Sequence, residues 1–394
     1  MTGNWPKIMI NLKPNRETFE ITPQKRSRAP VVHQFWWVSI TFGLLIGFPS
    51  GLYLWLQRGG QIQHADNYAY LVNLHATSQI LLFFGLFILG FVYTAGYHLN
   101  GGQAKPVKQI FWVLPAIAAG YILHLFPPLE EVGKLIMSAA FAYTGVLMFA
   151  AAKEGRFSKP SITALCLPGL ITFTAAPWLQ LADIKIAFFV VVTGPCFFVL
   201  MAGLQLIANV MKGDRLSGKP EWVFIVLIAI SYLLTAYATF VTHVAPAFIA
   251  LSFILPVMVY LIYVNIFKAL NFCGPTSLAV AFIAGFSWFL AAMILLAVFG
   301  EPFMENALHM IILGQVTTHI IAVGARVIGF FSAGDVISDA RLTLLILLWQ
   351  LVPLTRGLDI LIDFPAGAAW IATVVTAAVL VPWSMLMLAR IRKV

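Results

Sequence analysis

Long apolar runs, broken by short polar and charged stretches, repeat along the whole chain. The run from Leu74 to Gly90 reads Leu-His-Ala-Thr-Ser-Gln-Ile-Leu-Leu-Phe-Phe-Gly-Leu-Phe-Ile-Leu-Gly, with one imidazole near its start and no Asp, Glu, Lys or Arg. A helix needs about 20 mostly apolar residues to cross a hydrocarbon layer about 30 Å thick, since each residue advances about 1.5 Å. Twelve runs qualify, at about 34–57, 70–97, 108–126, 133–152, 162–181, 184–211, 221–243, 245–271, 277–299, 305–331, 341–358 and 366–390. None shows the alternation of a membrane barrel strand, and a backbone in lipid must satisfy its own hydrogen bonds. The pattern therefore predicts an all-α polytopic membrane bundle of about twelve helices.

Composition sharpens that picture. Hydrophobic residues make up 61% of the 394 and charged ones only 10%, against about 25% charged in soluble domains, which excludes a soluble enzyme. A net charge of +9 would point to nucleic acid in a soluble protein; here it reports orientation instead. With the N-terminus inside, Arg58, Lys134, Lys185 and Arg356 alone among the 24 Lys and Arg fall in outer segments. That asymmetry predicts an N-in, C-in topology, with the lipid bilayer and no nucleic acid as partner. Residues 1–30 read as a basic cytoplasmic arm lying against anionic lipid, and 31–394 as a single transmembrane domain. The first run is not read as a cleavable signal, because about thirty mostly polar residues precede it. Cys166, Cys196 and Cys273 are odd in number and lack metal-binding spacing, so they read as buried or lipid-facing thiols. No phosphate-binding glycine loop or dinucleotide fingerprint occurs.

With the topology assigned, the histidines can be sorted by depth. His33 and His98 fall at inner ends, His64 in the first outer loop, and His124 and His243 near the outer face. His75 lies about one turn inside the second helix and His309 about one turn inside the tenth, and both helices enter from outside. An imidazole in hydrocarbon is costly, so it turns inward to find a partner. The partner is either a carbonyl or hydroxyl in a structural hydrogen bond, or a metal. Two imidazoles at matched depth on separate helices are what a haem iron clamped from both faces requires. Gly85 and Gly90 on the second helix, with Gly314 and Gly324 on the tenth, would let a macrocycle approach; ordinary helix packing explains such glycines equally well. His319, ten residues past His309, sits about 15 Å deeper and roughly 80° round the helix. With Gln315 and Arg326 it forms a polar stripe: a proton or ligand path, a cofactor anchor, or a set of interhelical hydrogen bonds. Snorkelling to the inner interface is the plainer reading of Arg326. Arg356, on the side of His75 and His309, would pair with haem propionates or with Asp359 and Asp363. His243 is a further cofactor-binding candidate.

The two histidine helices resemble the signature segments of the NnrS family, polytopic bacterial proteins reported as haem- and copper-containing and linked to nitric oxide and denitrification metabolism. Leu74-His75-Ala76-Thr77-Ser78-Gln79, followed by Gly90-Phe91-Val92-Tyr93-Thr94-Ala95, is similar to the family's W-H-A-H-E-M and G-F-L-L-T-A at the same separation. His309-Met310-Ile311-Ile312-Leu313-Gly314, followed by Ala325-Arg326, is similar to its H-A-L-x-x-G and later x-T-R. The family's second histidine and glutamate are replaced by Thr77 and Ser78, which counts against any copper site that needs them. The arrangement also resembles the main subunit of haem-copper oxidases, which holds a haem between histidines of its second and tenth helices. The single His243, with no adjacent histidine, departs from the copper-haem centre of those enzymes.

The resemblance implies a b-type haem protein of the bacterial inner membrane, acting in nitric oxide response or in electron transfer with a redox partner. Its metal ligands would be His75 and His309. The competing readings are a secondary transporter, since twelve helices interrupted by Pro49, Pro177, Pro195, Pro246 and Pro256 are also a transporter layout, and a structural subunit whose histidines only hydrogen-bond.

Overall fold

The computed structural model describes residues 30–58, 60, 62, 67–93, 110–153, 160–209, 214, 217–241, 244–266, 268, 276–331, 337–362 and 365–391. Among them are twelve helical rods. Helix α1 runs Pro30–Phe42, Gly43–Gly47 and Phe48–Arg58, and α2 runs Tyr68–Thr77, Ser78–Gly85 and Leu86–Phe91. Then come α3 (Ile110–His124), α4 (Glu130–Lys153), α5 (Pro160–Ala175), α6 (Ile184–Thr193 and Pro195–Asn209), α7 (Lys219–Phe240) and α8 (Pro246–Tyr263). The last four are α9 (Thr276–Phe299), α10 (Met304–His309, Met310–Thr317 and Thr318–Phe331), α11 (Asp339–Trp349 and Leu351–Ile362) and α12 (Pro365–Ile391). Ten of these are long and apolar enough to cross a membrane, and the described residues contain no strand. The expected all-α polytopic bundle is therefore the fold, and the helix ends differ from the hydropathy reading by a few residues.

The breaks have local causes. Pro195 has no N–H to bond the carbonyl of Val191, and α6 is interrupted there, at Gly194. Pro353 likewise cannot bond Trp349, and α11 turns at Gln350. Three other segments widen to five-residue turns: Gly43–Gly47, Ser78–Gly85 and Met310–Thr317. Side chains satisfy carbonyls that such a widening displaces. Thr317 Oγ1 donates to Ile312 O at 2.8 Å, and Trp349 Nε1 to Leu313 O at 2.7 Å. Wide turns of this kind concentrate at functional sites.

Burial separates inner rods from outer ones. In α2, α6 and α10 the apolar windows are 83%, 89% and 83% buried inside the protein, whereas in α7 the figure is 22%. Helix α1 lies along α2 through Gly43, Gly47 and Gly51, spaced by four so that all three share one face. Trp36 Nε1 and Ser39 Oγ complete the seam, donating to Phe87 O at 3.2 Å and Phe83 O at 2.7 Å. One rim is laced by ion pairs: Arg58 at the end of α1 with Glu305 at the start of α10, and Lys185 of α6 with Glu301 at 3.0 Å. At the opposite end, Asp339 accepts from the Thr276 and Ser277 N–H groups that open α9 and from Arg326 of α10, tying three helices together.

Candidate functional site

His75 projects from α2 onto the glycine face of α1. Its Nδ1–H donates to Gly47 O at 2.9 Å, with Ser50 Oγ 3.3 Å away, so Nε2 carries the lone pair. The ring lies flat against Gly51, where a Cβ would come within 2.4 Å of Cε1. A glycine is thus required at that position for the imidazole to sit where it does.

His309 is held in the same way. Its Nδ1–H donates to Glu305 O, one turn earlier on α10, at 2.8 Å, and again Nε2 keeps its lone pair. Arg356 Nη2 stands 3.2 Å from both ring nitrogens. With Nδ1–H on the Glu305 carbonyl, the guanidinium is a donor within reach of the Nε2 lone pair, which in this structure it partners. The same nitrogen donates to Glu305 Oε1 at 3.1 Å, the guanidinium carbon lies 4.8 Å from the Trp55 ring, and Arg356 O accepts from Asn306 Nδ2 at 2.8 Å. Arg356 is sandwiched between an indole and an imidazole, with its charge answered by Glu305.

The two imidazoles and Arg356 are near enough to act on one another electrostatically. Both rings lie deep in the bundle, yet each keeps part of its surface accessible, while most of the residues that follow them on α2 and α10 are buried. Trp55 Nε1 is buried in the same region and meets no acceptor among the described residues. The region thus presents two nitrogen lone pairs, an indole N–H and a guanidinium.

The other residues singled out in the sequence fall elsewhere. His319 faces α9: it donates from Nδ1 to Gln315 O at 2.7 Å and meets Phe282 and Phe286 edge-on at 5.0 and 5.7 Å. At Gly90, Gly314 and Gly324 the space a Cβ would need is taken by Trp36, Trp288 and Phe87, and Gly85 faces the Ile80 carbonyl and Phe141. These four glycines make room for aromatic and backbone groups, and the glycines that make room for a histidine ring are Gly51 of α1 for His75 and Gly285 of α9 for His319. Arg326 pairs with Asp339 and donates to Ser277 Oγ at 3.1 Å, so it is anchored between helices at the rim. His243, His33, His64 and His98 lie outside the described residues or side chains. Thr77 and Ser78 are buried, and Ser78 Oγ donates to His75 O at 2.9 Å. Among the described residues no group of three or more His, Cys, Asp and Glu side chains could hold a metal ion.

Sequence reasoning missed Gly47, Gly51, Trp55 and Glu305. The spacing of Gly43, Gly47 and Gly51 was the available signal, a small residue every fourth position on an apolar helix.

The family model described as NnrS protein matches residues 34–393. A solved structure described as a heme-copper terminal oxidase dimer, determined by cryo-electron microscopy, matches with a TM-score of 0.65 and 14% identity. The match covers 92% of this chain and 83% of that one, a likeness of fold. No curated protein matches by sequence.

Proposed function

Because the chain belongs to the NnrS family, we propose that it is a haem protein whose iron is held between His75 and His309. What carries this reading is the matched pair of rings. Each is tethered at Nδ1 to a backbone carbonyl, which leaves Nε2 as the ligating nitrogen, and each is followed within three residues by a widened turn of its helix. Haem ligation by histidine uses a neutral imidazole nitrogen, and a carbonyl on the far nitrogen both fixes the ring and raises its basicity. Gly51 gives the His75 ring its place. Arg356 and Trp55 Nε1 would hold the carboxylate edge of the group, with Glu305 and Arg58 keeping the guanidinium in position.

When bound, haem supplies a one-electron iron couple. With both imidazoles on the metal no position is left for a gas, so this geometry favours electron transfer, in a nitric oxide-linked setting consistent with the family. In this reading the haem is of b type, the arginine-laced rim faces outward, both termini face the cytoplasm, and the membrane is the bacterial inner membrane. His319, Gly85, Gly90, Gly314 and Arg326 lie in the wider shell of the fold and take no ligand role in this reading, which also gives none to His243. Copper is left out, because Thr77 and Ser78 offer hydroxyls where the family pattern has an imidazole and a carboxylate.

The test is a reduced-minus-oxidised absorption spectrum of purified protein and of His75→Ala and His309→Ala. Wild type should show a Soret band with sharp bands of a six-coordinate haem, and each variant should lose that signature. A colourless wild type would favour a transporter, and full haem retention in both variants would reject these ligands.

A further inference from the structure

Deeper along α10 lies a second polar region that the haem pair does not use. Three buried side chains there have atoms with no protein partner among the described residues: His319 Nε2, both amide atoms of Gln315, and the Tyr260 hydroxyl. His319 and Tyr260 share one packed cluster, and Gln315 is one helical turn from His319 on the same side of α10. Phe286 packs on both His319 and Tyr260, with centroids 5.7 Å away in each case. The Tyr260 hydroxyl and Phe282 close on Gly203 of α6, where a Cβ would meet them at 2.9 and 3.2 Å, and Phe282 touches His319 from the other side. The Gln315 carbonyl takes the Nδ1–H of His319, so the free Nε2 is an acceptor aimed into this cluster.

Among the described residues no charged side chain bonds it. From α9 the His319 ring meets Phe282, Phe286 and Gly285; from α8 the neighbouring titratable group is Tyr260; on α10 the nearest charge is Arg326, seven residues on and bound to Asp339. A lone pair, an amide and a hydroxyl left bare in a membrane interior are unfavourable, and water, which both donates and accepts, satisfies all three.

We propose that His319, Gln315 and Tyr260 line an internal hydrated site in which His319 Nε2 takes up and returns a proton. A water-borne proton joins the Nε2 lone pair, giving an imidazolium whose Nδ1–H stays on the Gln315 carbonyl. The Nε2–H proton then passes to the next water and the ring is neutral again, with no electron transferred. The site stands between the Arg326–Asp339 end of α10 and the His75–His309 region, so it is a relay station on a route through the bundle. It stands whether or not haem is bound.

Solid-state NMR on full-length protein labelled with 15N-histidine in lipid nanodiscs tests this, with the His319 signal assigned as the one absent from His319→Asn. The expected result is a neutral ring protonated at Nδ1, a cross-peak between Nε2 and water, and uptake of deuterium from D2O within minutes. Gln315→Leu and Tyr260→Phe should each weaken the cross-peak while leaving the other histidine signals unchanged. Should His319→Asn fail to fold, a cross-peak from the ring Nδ1–H to the main-chain carbonyl of Gln315, its acceptor, gives the assignment. A ring with no water contact and no exchange over a day overturns the proposal, as does a direct bond from the Tyr260 hydroxyl to Nε2.

Discussion

Helices α7 and α10 both pass as membrane spans, yet the apolar window of α7 is 22% buried and that of α10 is 83% buried. Their polar residues explain the contrast. On α7 the polar groups are hydroxyls: Thr235 and Thr239 donate back to carbonyls one turn earlier, at 2.7 and 2.8 Å, and Ser231, buried against α8, is shared between Leu227 O at 2.8 Å and Ser252 O, so little polar demand is left and the opposite face can meet lipid. On α10, Asn306 and Arg326 reach α11, while His309 and His319 each bond a carbonyl of α10 through Nδ1 and leave Nε2 for groups outside the helix. Hydropathy finds the spans, and amide, imidazole and guanidinium groups, which carry more polar atoms than their own helix can satisfy, mark the central one.

Substitutions sharpen that difference. The largest effect is expected at Gly51→Ala, whose Cβ would intrude to 2.4 Å of a ring anchored by Gly47. Haem content per protein should fall by about tenfold or more, the scale of lost support around a metal ligand. Gly145→Ala on α4, where the nearest atom is 3.8 Å away, should change nothing. Phe173→Ala comes next, since Phe173 is fully buried and stacked between Phe141 at 5.5 Å and Phe198 at 5.8 Å. It should lower stability by about 3 kcal/mol, read from unfolding in detergent. Asp339→Ala removes a partly exposed ion pair and the cap of α9, and about 1–2 kcal/mol is expected from the same measurement. At the small end stand Leu233→Ala on the lipid face of α7 and Lys268→Ala, whose partner Asp214 is in solvent; neither should move the unfolding midpoint measurably. Here Lys268 and Asn265 hold the Asp214 carboxyl below its usual range, an effect that salt will screen.

Most of the fold was legible in the sequence because spanning length is a one-dimensional property. Twelve runs are twelve rods, and the placement of His75 and His309 near the first turns of two helices could be counted directly, although α2 starts at Tyr68 and so puts His75 about two turns in. The surroundings of those rings were not legible, since they belong to other helices. Gly90 and Gly314 are the same residue type as Gly51 on equally apolar helices, yet Trp36 and Trp288 occupy their faces, and nothing local to either glycine says so. Arg356 could be assigned to the right end of the bundle from charge alone, whereas its contacts with Glu305 and Trp55 depend on how α11 approaches α10 and α1. Its carboxylate partner at 3.1 Å is Glu305, while Asp359 and Asp363, the two aspartates offered from the sequence, lie outside the described residues or side chains.

The central claim is that two imidazoles from distant parts of the chain grip one iron. A cryo-electron microscopy map of the haem-loaded protein tests it most directly. The account predicts a single porphyrin between α2 and α10, with His75 Nε2 and His309 Nε2 on opposite faces of its iron and a carboxylate edge against Arg356. A map with the haem elsewhere, or with either ring turned away from the iron, would contradict it.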